Sequence, residues 1–429
     1  MGLLRPITQQ SNKKEQKWTA FFVRKLKRLL NILIKLPLFV IVVPIVIAMR
    51  LLRPLLLVRY GILASHRIGH FAGNTELYLC ERDAGINVPD RPYIDIFFLE
   101  KLVCNQQLLQ MWKRHIYIFP LKNIFWSIQH ANRLIPGGAI HEVGENTQQD
   151  RDVHNLLDQF PAHLKWTIEE ENRGRMLLSA MGIPRGSKFV CLIVRDSAYL
   201  DAHQPNDWSY HNYRDSNIQN YSLAAESLVK LGYYVIRMGV RVHGLMGSNH
   251  PKVIDYATNG MRSDFMDIYL GANCAFCIST STGFDAVPVI FRRPIVYVNM
   301  VPIGYLATFR HQSLGIVKHH HRREGGQELT MREIFHEGIA FSLRTDSYEQ
   351  NSIELIENTP EEIRDIVVEM VSMLDVNWQA PSEGEELQSR FNEMYKSLIM
   401  EMKRDYQIHG DIRIRFGTNF LSLNRNFLN

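Results

Sequence analysis

The segment Ala275-Phe-Cys-Ile-Ser-Thr-Ser-Thr-Gly-Phe-Asp-Ala-Val-Pro-Val-Ile-Phe-Arg-Arg-Pro-Ile-Val-Tyr-Val-Asn299 joins two apolar runs through four hydroxyl residues and a glycine. Ala275 to Ile278 and the β-branched run Ile295 to Val298 have the length and residue types of buried strands. The piece between them predicts a tight loop and then a helix. Small hydroxyl residues ahead of a helix can offer backbone N–H groups and side-chain donors to a phosphate at the positive end of the helix dipole. The plainer reading makes Ser281 or Thr282 an N-cap. Which reading holds depends on what else the chain brings to the loop.

Working outward toward the N-terminus, strand and helix patterns alternate. Lys188 to Val194 predicts a strand, Tyr221 to Leu231 a helix, Tyr233 to Arg237 a strand, Val253 to Tyr256 a short strand and Asp264 to Leu270 a helix. Charged residues fall at the predicted strand ends: Arg195 and Asp196 after the first, then Arg237, with Gly239 permitting close backbone approach. A loop carrying Trp208, Arg214 and Asp215 lies between them. Ligands of open parallel sheets sit at the C-terminal strand ends, and the planar fork of arginine suits phosphate. Arg195, Arg214, Arg237, Gly239 and the loop Ser279, Thr280, Ser281, Thr282 and Gly283 therefore form a candidate site for a nucleotide diphosphate.

A second alternation precedes this one. Ile62 to Ala64 predicts a strand, Ser65 to His70 a turn, Asn74 to Arg82 a helix, Tyr93 to Leu99 a strand, Cys104 to Lys113 a helix, Ile116 to Phe119 a strand and Leu121 to Leu134 a helix. Arg67 and His70 lie on the first strand-to-helix turn, where an imidazole titrating near neutrality is placed for proton transfer. The fold expected is α/β, two tandem doubly wound Rossmann-like domains with a cleft between them. The expected divisions are an anchor over 1–58, a first α/β domain over 59–185, a second α/β domain carrying the nucleotide site over 186–375, and C-terminal helices and tail over 376–429 that pack back on the domain junction.

The 429 residues are 46% apolar and carry a formal charge of +5, enough chain for two cored domains. Much of the positive excess lies near the N-terminus, between Lys13 and Arg28, ahead of an apolar run from Leu36 to Met49 that Pro37 and Pro44 interrupt. This patterning fits an anionic membrane surface rather than nucleic acid, each basic group contributing about 1 kcal/mol. The run is shorter than the roughly 18 to 20 residues of a spanning helix, so the segment reads as an interfacial or re-entrant anchor, with a single span as the alternative. The expected location is the cytoplasmic face of the inner membrane, monotopic or peripheral. Five cysteines, mostly in apolar runs, predict reduced buried thiols. Two metal-like motifs, Asp150-Arg151-Asp152 and His319-His320-His321, are both expected to be solvated loops, so no metal site and no cofactor are expected.

The tandem layout, the hydroxyl loop and the Arg-Arg-Pro-Ile-Val-Tyr-Val-Asn strand resemble GT-B glycosyltransferases. Three further segments resemble a bacterial family assigned as glycosyltransferases and found with surface-polysaccharide genes: Arg67-Ile-Gly-His-Phe-Ala with Asn74-Thr-Glu-Leu-Tyr, Arg214-Asp-Ser-Asn-Ile with Asn220-Tyr, and Gly232-Tyr-Tyr-Val-Ile-Arg-Met-Gly. The resemblance spans roughly residues 60 to 429. The Arg67 to His70 turn is also similar to the Gly-Asp turn of heptosyltransferases, with His70 where their aspartate base stands. The resemblance implies sugar transfer from a nucleotide-sugar donor to a glycan or lipid-linked acceptor. With the one Asp-x-Asp motif expected in a solvated loop, and a base but no nucleophile in the candidate site, transfer is expected to be metal-independent and inverting, with His70 as base and Asp196 or Asp215 as second choices. A retaining outcome stays open. The competing classes are a membrane-attached, non-catalytic sugar or lipid-intermediate binding module and a sugar-nucleotide epimerase.

Overall fold

In the computed structural model, residues 40–100, 102–143, 151–198, 208–306, 312–402 and 410–429 are described. The basic cluster between Lys13 and Arg28, and Asp150, lie outside them. The chain divides into two compact units. One takes the chain up to Leu63, with Pro89–Lys101 and Ile116–Glu145; the other takes Ala64–Val88, Leu102–His115 and Asn146–Asn429.

The smaller unit holds a three-stranded parallel sheet of β1 (Leu57–Leu63), β2 (Tyr93–Leu99) and β3 (Tyr117–Phe119) in the order β1-β2-β3. Across the first pair Arg59 faces Asp95 in register, and the two form a buried bidentate ion pair with both N···O distances at 2.6 Å. Residues 40–52 are helical (α1). Val42, Val46 and Met49, spaced i, i+4, i+7, pack with Tyr60 and Phe98 and with Phe125 and Ile128 of α4 (Lys122–Arg133). Arg50 donates to Asn132 Oδ1 and to the carbonyls of Asn132, Ile135 and Pro136, closing the C-terminus of α4. No helix among the described residues is long and apolar enough to cross a membrane.

The larger unit is built on a parallel sheet of seven strands in the order β12-β9-β8-β7-β4-β5-β6. These are β4 (Phe189–Ile193), β5 (Tyr234–Arg237), β6 (Val253–Ile254), β7 (Cys277–Ser279), β8 (Ile295–Met300), β9 (Ser313–Val317) and β12 (Arg415–Phe416). The order reverses direction between β4 and β7, which pair through Cys191–Cys277, Leu192–Ile278 and Ile193–Ser279. Every residue of β8 and β9 is buried, as expected of parallel strands covered on both faces. Cys191, Cys274 and Cys277 are free, fully buried thiols of this core.

The helices α2 (Ile68–Asp83), α3 (Gln106–Trp112) and α5 (Leu156–Gln159) belong to the large unit, although the first two alternate in the chain with strands of the small sheet. Leu77 and Cys80 of α2 and Leu156 and Leu157 of α5 join the large core. The N-terminal alternation is thus a three-stranded sheet with part of its helical complement packed elsewhere, rather than a doubly wound sheet. The polar stretch before β4 contains α6 (Ile168–Ala180), opened by a capping box between Thr167 and Glu170. Glu170 also pairs with Arg114. After β5 come α8 (Asp264–Asn273), preceded in the chain by α7 (Ser222–Lys230), and after β7 the five-residue α9 (Ala286–Ile290).

The C-terminal half departs from expectation at two places. The histidine run is a strand, β10 (His319–Arg322), paired antiparallel with β11 (Ile353–Ile356). Its alternation puts His320 inside, 2% exposed, with His319 and His321 on the opposite face. The tail supplies β12 to the edge of the large sheet beside β9, amid α10 (Met331–His336), α11 (Thr345–Gln350), α12 (Pro360–Met373), α13 (Ser382–Glu401) and α14 (Thr418–Leu423).

Candidate active site

The C-terminal ends of β4 and β7 meet at the point where strand order reverses, the usual ligand position of an open α/β sheet. A cavity of about 560 Å³ opens there within the large unit, inside the range typical of small-molecule sites. Its floor is the loop after β7. Asp285 is buried and accepts from the Ser279 hydroxyl and, at 3.1 Å, from the Thr282 hydroxyl. Ser279 in turn accepts from Ser281 N–H at 3.1 Å. Ser281 takes φ = 60°, a left-handed conformation uncommon for serine. The Thr280 hydroxyl accepts from Arg195 N–H at 2.8 Å, which ties the loop to the end of β4. Burial pushes the Asp285 carboxyl up to about 6, against the hydroxyl contacts that lower it.

The first turn of α2 closes over this loop. A Cβ on Gly69 would lie 3.0 Å from both Cα and O of Gly283. The two backbones touch, and glycine is required on the α2 side by contact rather than by dihedral. His70, half-buried, and Arg67 line the cavity from the same turn.

Six arginines and three aspartates are among the lining residues: Arg67, Arg151, Arg195, Arg214, Arg241 and Arg262 against Asp196, Asp267 and Asp285. All three acids are engaged, Asp196 by backbone N–H groups. Asp285 holds the loop hydroxyls, and Asp267 lies 2.6 Å from Arg262 and 3.0 Å from the donating Tyr256 hydroxyl. Burial pushes Asp267 up to about 6 in spite of Arg262. Arg214 donates to the Ser281 carbonyl. Arg151 stacks over the Tyr305 ring at 4.8 Å. Trp208 and His211 lie parallel, 7° apart with centroids 5.9 Å apart, and both line the cavity. Burial, then the guanidiniums of Arg195, Arg214, Arg67 and Arg344, push His211 down to about 4.

The sequence-based candidates divide in two. Arg67, His70, Arg195, Asp196, Arg214, Gly239, Ser281, Thr282 and Gly283 line the cavity. Ser279, Thr280, Asp215 and Arg237 are not among its lining residues. Ser279 and Thr280 are buried and position the loop. Asp215 turns to Arg195 Nε at 3.3 Å, and burial pushes its carboxyl up. The Arg237 side chain, 2% exposed, is spent on Asp255 Oδ2 at 3.1 Å and on the Gly244 carbonyl. Its place at a strand end made it look like a phosphate ligand, but its rotamer turns it into the core. Asp196 accepts from the backbone N–H groups of Ala198 and His243. The helix expected after the loop is a 3-10 turn (Gly283–Asp285) followed by the short α9, so little macrodipole stands behind it. Arg151, from the Asp150–Asp152 motif expected to be a solvated loop, lines the cavity. Asp152 itself is not solvated: buried, it accepts from Leu156 and Leu157 N–H and caps α5. Asp285 carried no signal beyond its position three residues after Thr282.

No family model and no curated protein matches the chain. Among solved structures, a glycosyl transferase family 9 structure from Veillonella parvula overlays with TM-score 0.35 and 12% identity, covering 56% of this chain and 80% of that one. The E. coli ADP-heptose lps heptosyltransferase II gives 0.36 and 12%, covering 60% and 90%. UDP-GlcNAc 2-epimerase from Neisseria meningitidis gives 0.28 and 11%, covering 74% and 99%. Overlays this loose define neither a family nor an activity for the chain.

Proposed function

We propose that the cavity binds the diphosphate of a nucleotide sugar and that the chain transfers the sugar to a glycan or lipid-linked acceptor in cell-surface polysaccharide synthesis. The observation that carries this reading is the convergence of six arginines, with three aspartates that already hold partners in the protein, on a cavity at the switch point of a parallel sheet. Guanidinium pairs meet a diphosphate in forked geometry and stabilise the charge that grows on it as it leaves. The parallel Trp208 and His211 rings offer a flat surface for a base or sugar face.

In this reading transfer is metal-independent and inverting. The acceptor oxygen bonds the anomeric carbon and gives its proton to His70. The bond from that carbon to the diphosphate oxygen breaks, its electron pair leaving with the diphosphate toward Arg195 and Arg214. A positioned base of this kind contributes typically about 10²–10⁴-fold. Work at the cytoplasmic membrane face is part of this reading, supported by the exposed apolar side of α1 and the basic sequence ahead of it.

The test is a thermal-shift panel of UDP, GDP, CMP, dTDP and ADP on detergent-solubilised protein, reading the shift each nucleotide adds with and without EDTA. A ligand at 100 times its dissociation constant stabilises by about 2.7 kcal/mol. One diphosphate is expected to raise the melting temperature equally with and without EDTA, and Arg214→Ala is expected to abolish most of that increment while leaving the unliganded melting temperature close to wild type. Arg237→Ala, which strands Asp255, is expected to lower the unliganded melting temperature. No increment with any nucleotide removes the diphosphate site. Nucleotide binding that survives with His70→Ala showing undiminished turnover of a donor without acceptor points instead to epimerisation.

A further inference from the structure

The histidine strand has chemistry that the cavity does not use. His319 and His321 project from one face of β10. The hairpin turn Arg322–Gln327, closed by Arg322 N–H to the Gln327 carbonyl at 2.8 Å, folds Glu328 back opposite His321. One ligand atom from each of His319, His321 and Glu328 lies within 4.8 Å of the others. The outer contacts complete the pattern. His319 Nδ1 faces Glu328 Oε1 at 2.5 Å, while its Nε2 faces both carboxylate oxygens of Glu362 at 3.1 Å. His321 Nδ1 lies 3.1 Å from the Gly326 carbonyl, so that nitrogen carries the proton and Nε2 is the one available as a ligand.

The geometry points to a divalent metal site of the zinc class, with His319 Nδ1, His321 Nε2 and Glu328 as ligands and water in the remaining position. Two imidazoles and one carboxylate are a ligand set that zinc takes, at about 2.0–2.2 Å from each donor. Each imidazole has its other nitrogen held by an acceptor, Glu362 for His319 and the Gly326 carbonyl for His321. That arrangement fixes tautomer and ring direction in metal sites. Both nitrogens of His319 face carboxylates, so the ion enters by displacing the Nδ1 proton that lies between His319 and Glu328, and metal binding releases that proton. Contraction of the three donors around an ion needs rotation of Glu328, whose side chain is 33% exposed. The ion would join β10 and its hairpin to Glu362 in the first turn of α12, and so brace the C-terminal helices. None of these four residues lines the cavity, so the site stands or falls apart from the proposed transfer reaction.

A second cluster, Glu76, Cys80 and His163, has similar spacing, but there Arg292 Nη2 lies 2.6 Å from Glu76 Oε1 and 3.5 Å from Cys80 Sγ. The guanidinium already supplies the cation.

The test uses the full chain, solubilised, stripped with EDTA and dialysed free of it. Titration with Zn²⁺ by calorimetry and with Co²⁺ by visible absorption is expected to show one ion per chain and the intense d–d bands of a tetrahedral site. His321→Ala and Glu328→Gln, both on the outer face of the strand or hairpin, are expected to lose the bands with an unchanged circular dichroism spectrum. Glu362→Gln, which can still cap α12, is expected to weaken binding about 10–100-fold. Cys80→Ser is expected to bind as wild type does. Absence of Co²⁺ bands in the wild type overturns the site, as do bands that persist in His321→Ala and Glu328→Gln or vanish in Cys80→Ser.

Discussion

Both ring nitrogens of His163 face carboxylates, Nδ1 to Glu76 Oε1 at 3.0 Å and Nε2 to Asp83 Oδ2 at 2.9 Å. Only an imidazolium can donate both ways. Burial by itself lowers the ring's pKa, but the contacts to Cys80, Glu76 and Asp83 outweigh it and raise it to about 10. With an unfolded value of about 6.5, the folded state holds this proton more tightly than the unfolded chain. The contribution to stability is therefore complete below about pH 6.5 and lost as pH rises through about 10. His163→Gln is expected to be less stable than wild type by about 2 kcal/mol at pH 6, the scale of hydrogen bonds to charged groups. Urea denaturation at pH 6, 8 and 9.5 should show that gap closing upward; a gap independent of pH would refute the assignment. His163 and Glu76 come from segments far apart in the chain, and nothing in either segment's own pattern marked the pair.

At the scale of the element, α1 has two unlike apolar faces. Val42 and Val46 are 1% exposed against the small sheet, whereas Val40, Ile41 and Leu51 are 73%, 63% and 75% exposed. An apolar helix face that is left open, in a chain whose preceding sequence is basic, is suited to the headgroup and acyl boundary of a bilayer. Ile41→Glu with Leu51→Glu is expected to cut co-sedimentation with anionic vesicles several-fold and leave the melting temperature nearly unchanged. Val46→Asp, which buries a carboxylate without a partner, is expected to destabilise the small unit by several kcal/mol. Equal membrane binding by the double variant would argue against α1 as the contact. The apolar run was visible in the sequence; which half faces Tyr60 and Phe125 was not, because apolar residues fall on every side of the helix.

Taken whole, the chain crosses between its two units five times, at Leu63, Val88, Lys101, His115 and Glu145. The small sheet is assembled from three separated segments and cannot be released by one cut. Removing residues 1–63 takes away β1, which pairs with β2 over seven residues, together with the α1 face that covers Phe98, Phe125 and Ile128. The fragment 64–429 thus bares an apolar face and a row of unpaired backbone groups on β2. In mild detergent it is expected to elute as aggregate on size exclusion, while a fragment beginning at residue 40 elutes as a single species. Monodisperse 64–429 would show that the small sheet does not need its first strand.

The sequence alone determined the elements that rest on local pattern. β2 lies where the run Tyr93–Leu99 is framed by polar and proline residues, and α8, α12 and α13 fall within a few residues of their apolar periodicities. The hydroxyl loop after β7 and its placement near Arg195 were legible for the same reason, since strand ends carry the residues that ligands need. Tertiary structure decided whatever depended on a partner. His319–Arg322 reads as a polar loop until β11 supplies the hydrogen bonds that make it a strand, and Arg415–Phe416 is a strand only because β9 presents a free edge. Arg237 and Arg214 look equivalent as letters. One is drawn into the core by Asp255 and the other reaches the cavity through the Ser281 carbonyl, a choice made by three-dimensional neighbours. The contact of Gly69 with Gly283 brings the two halves of the candidate site together, and no spacing along the chain encodes it.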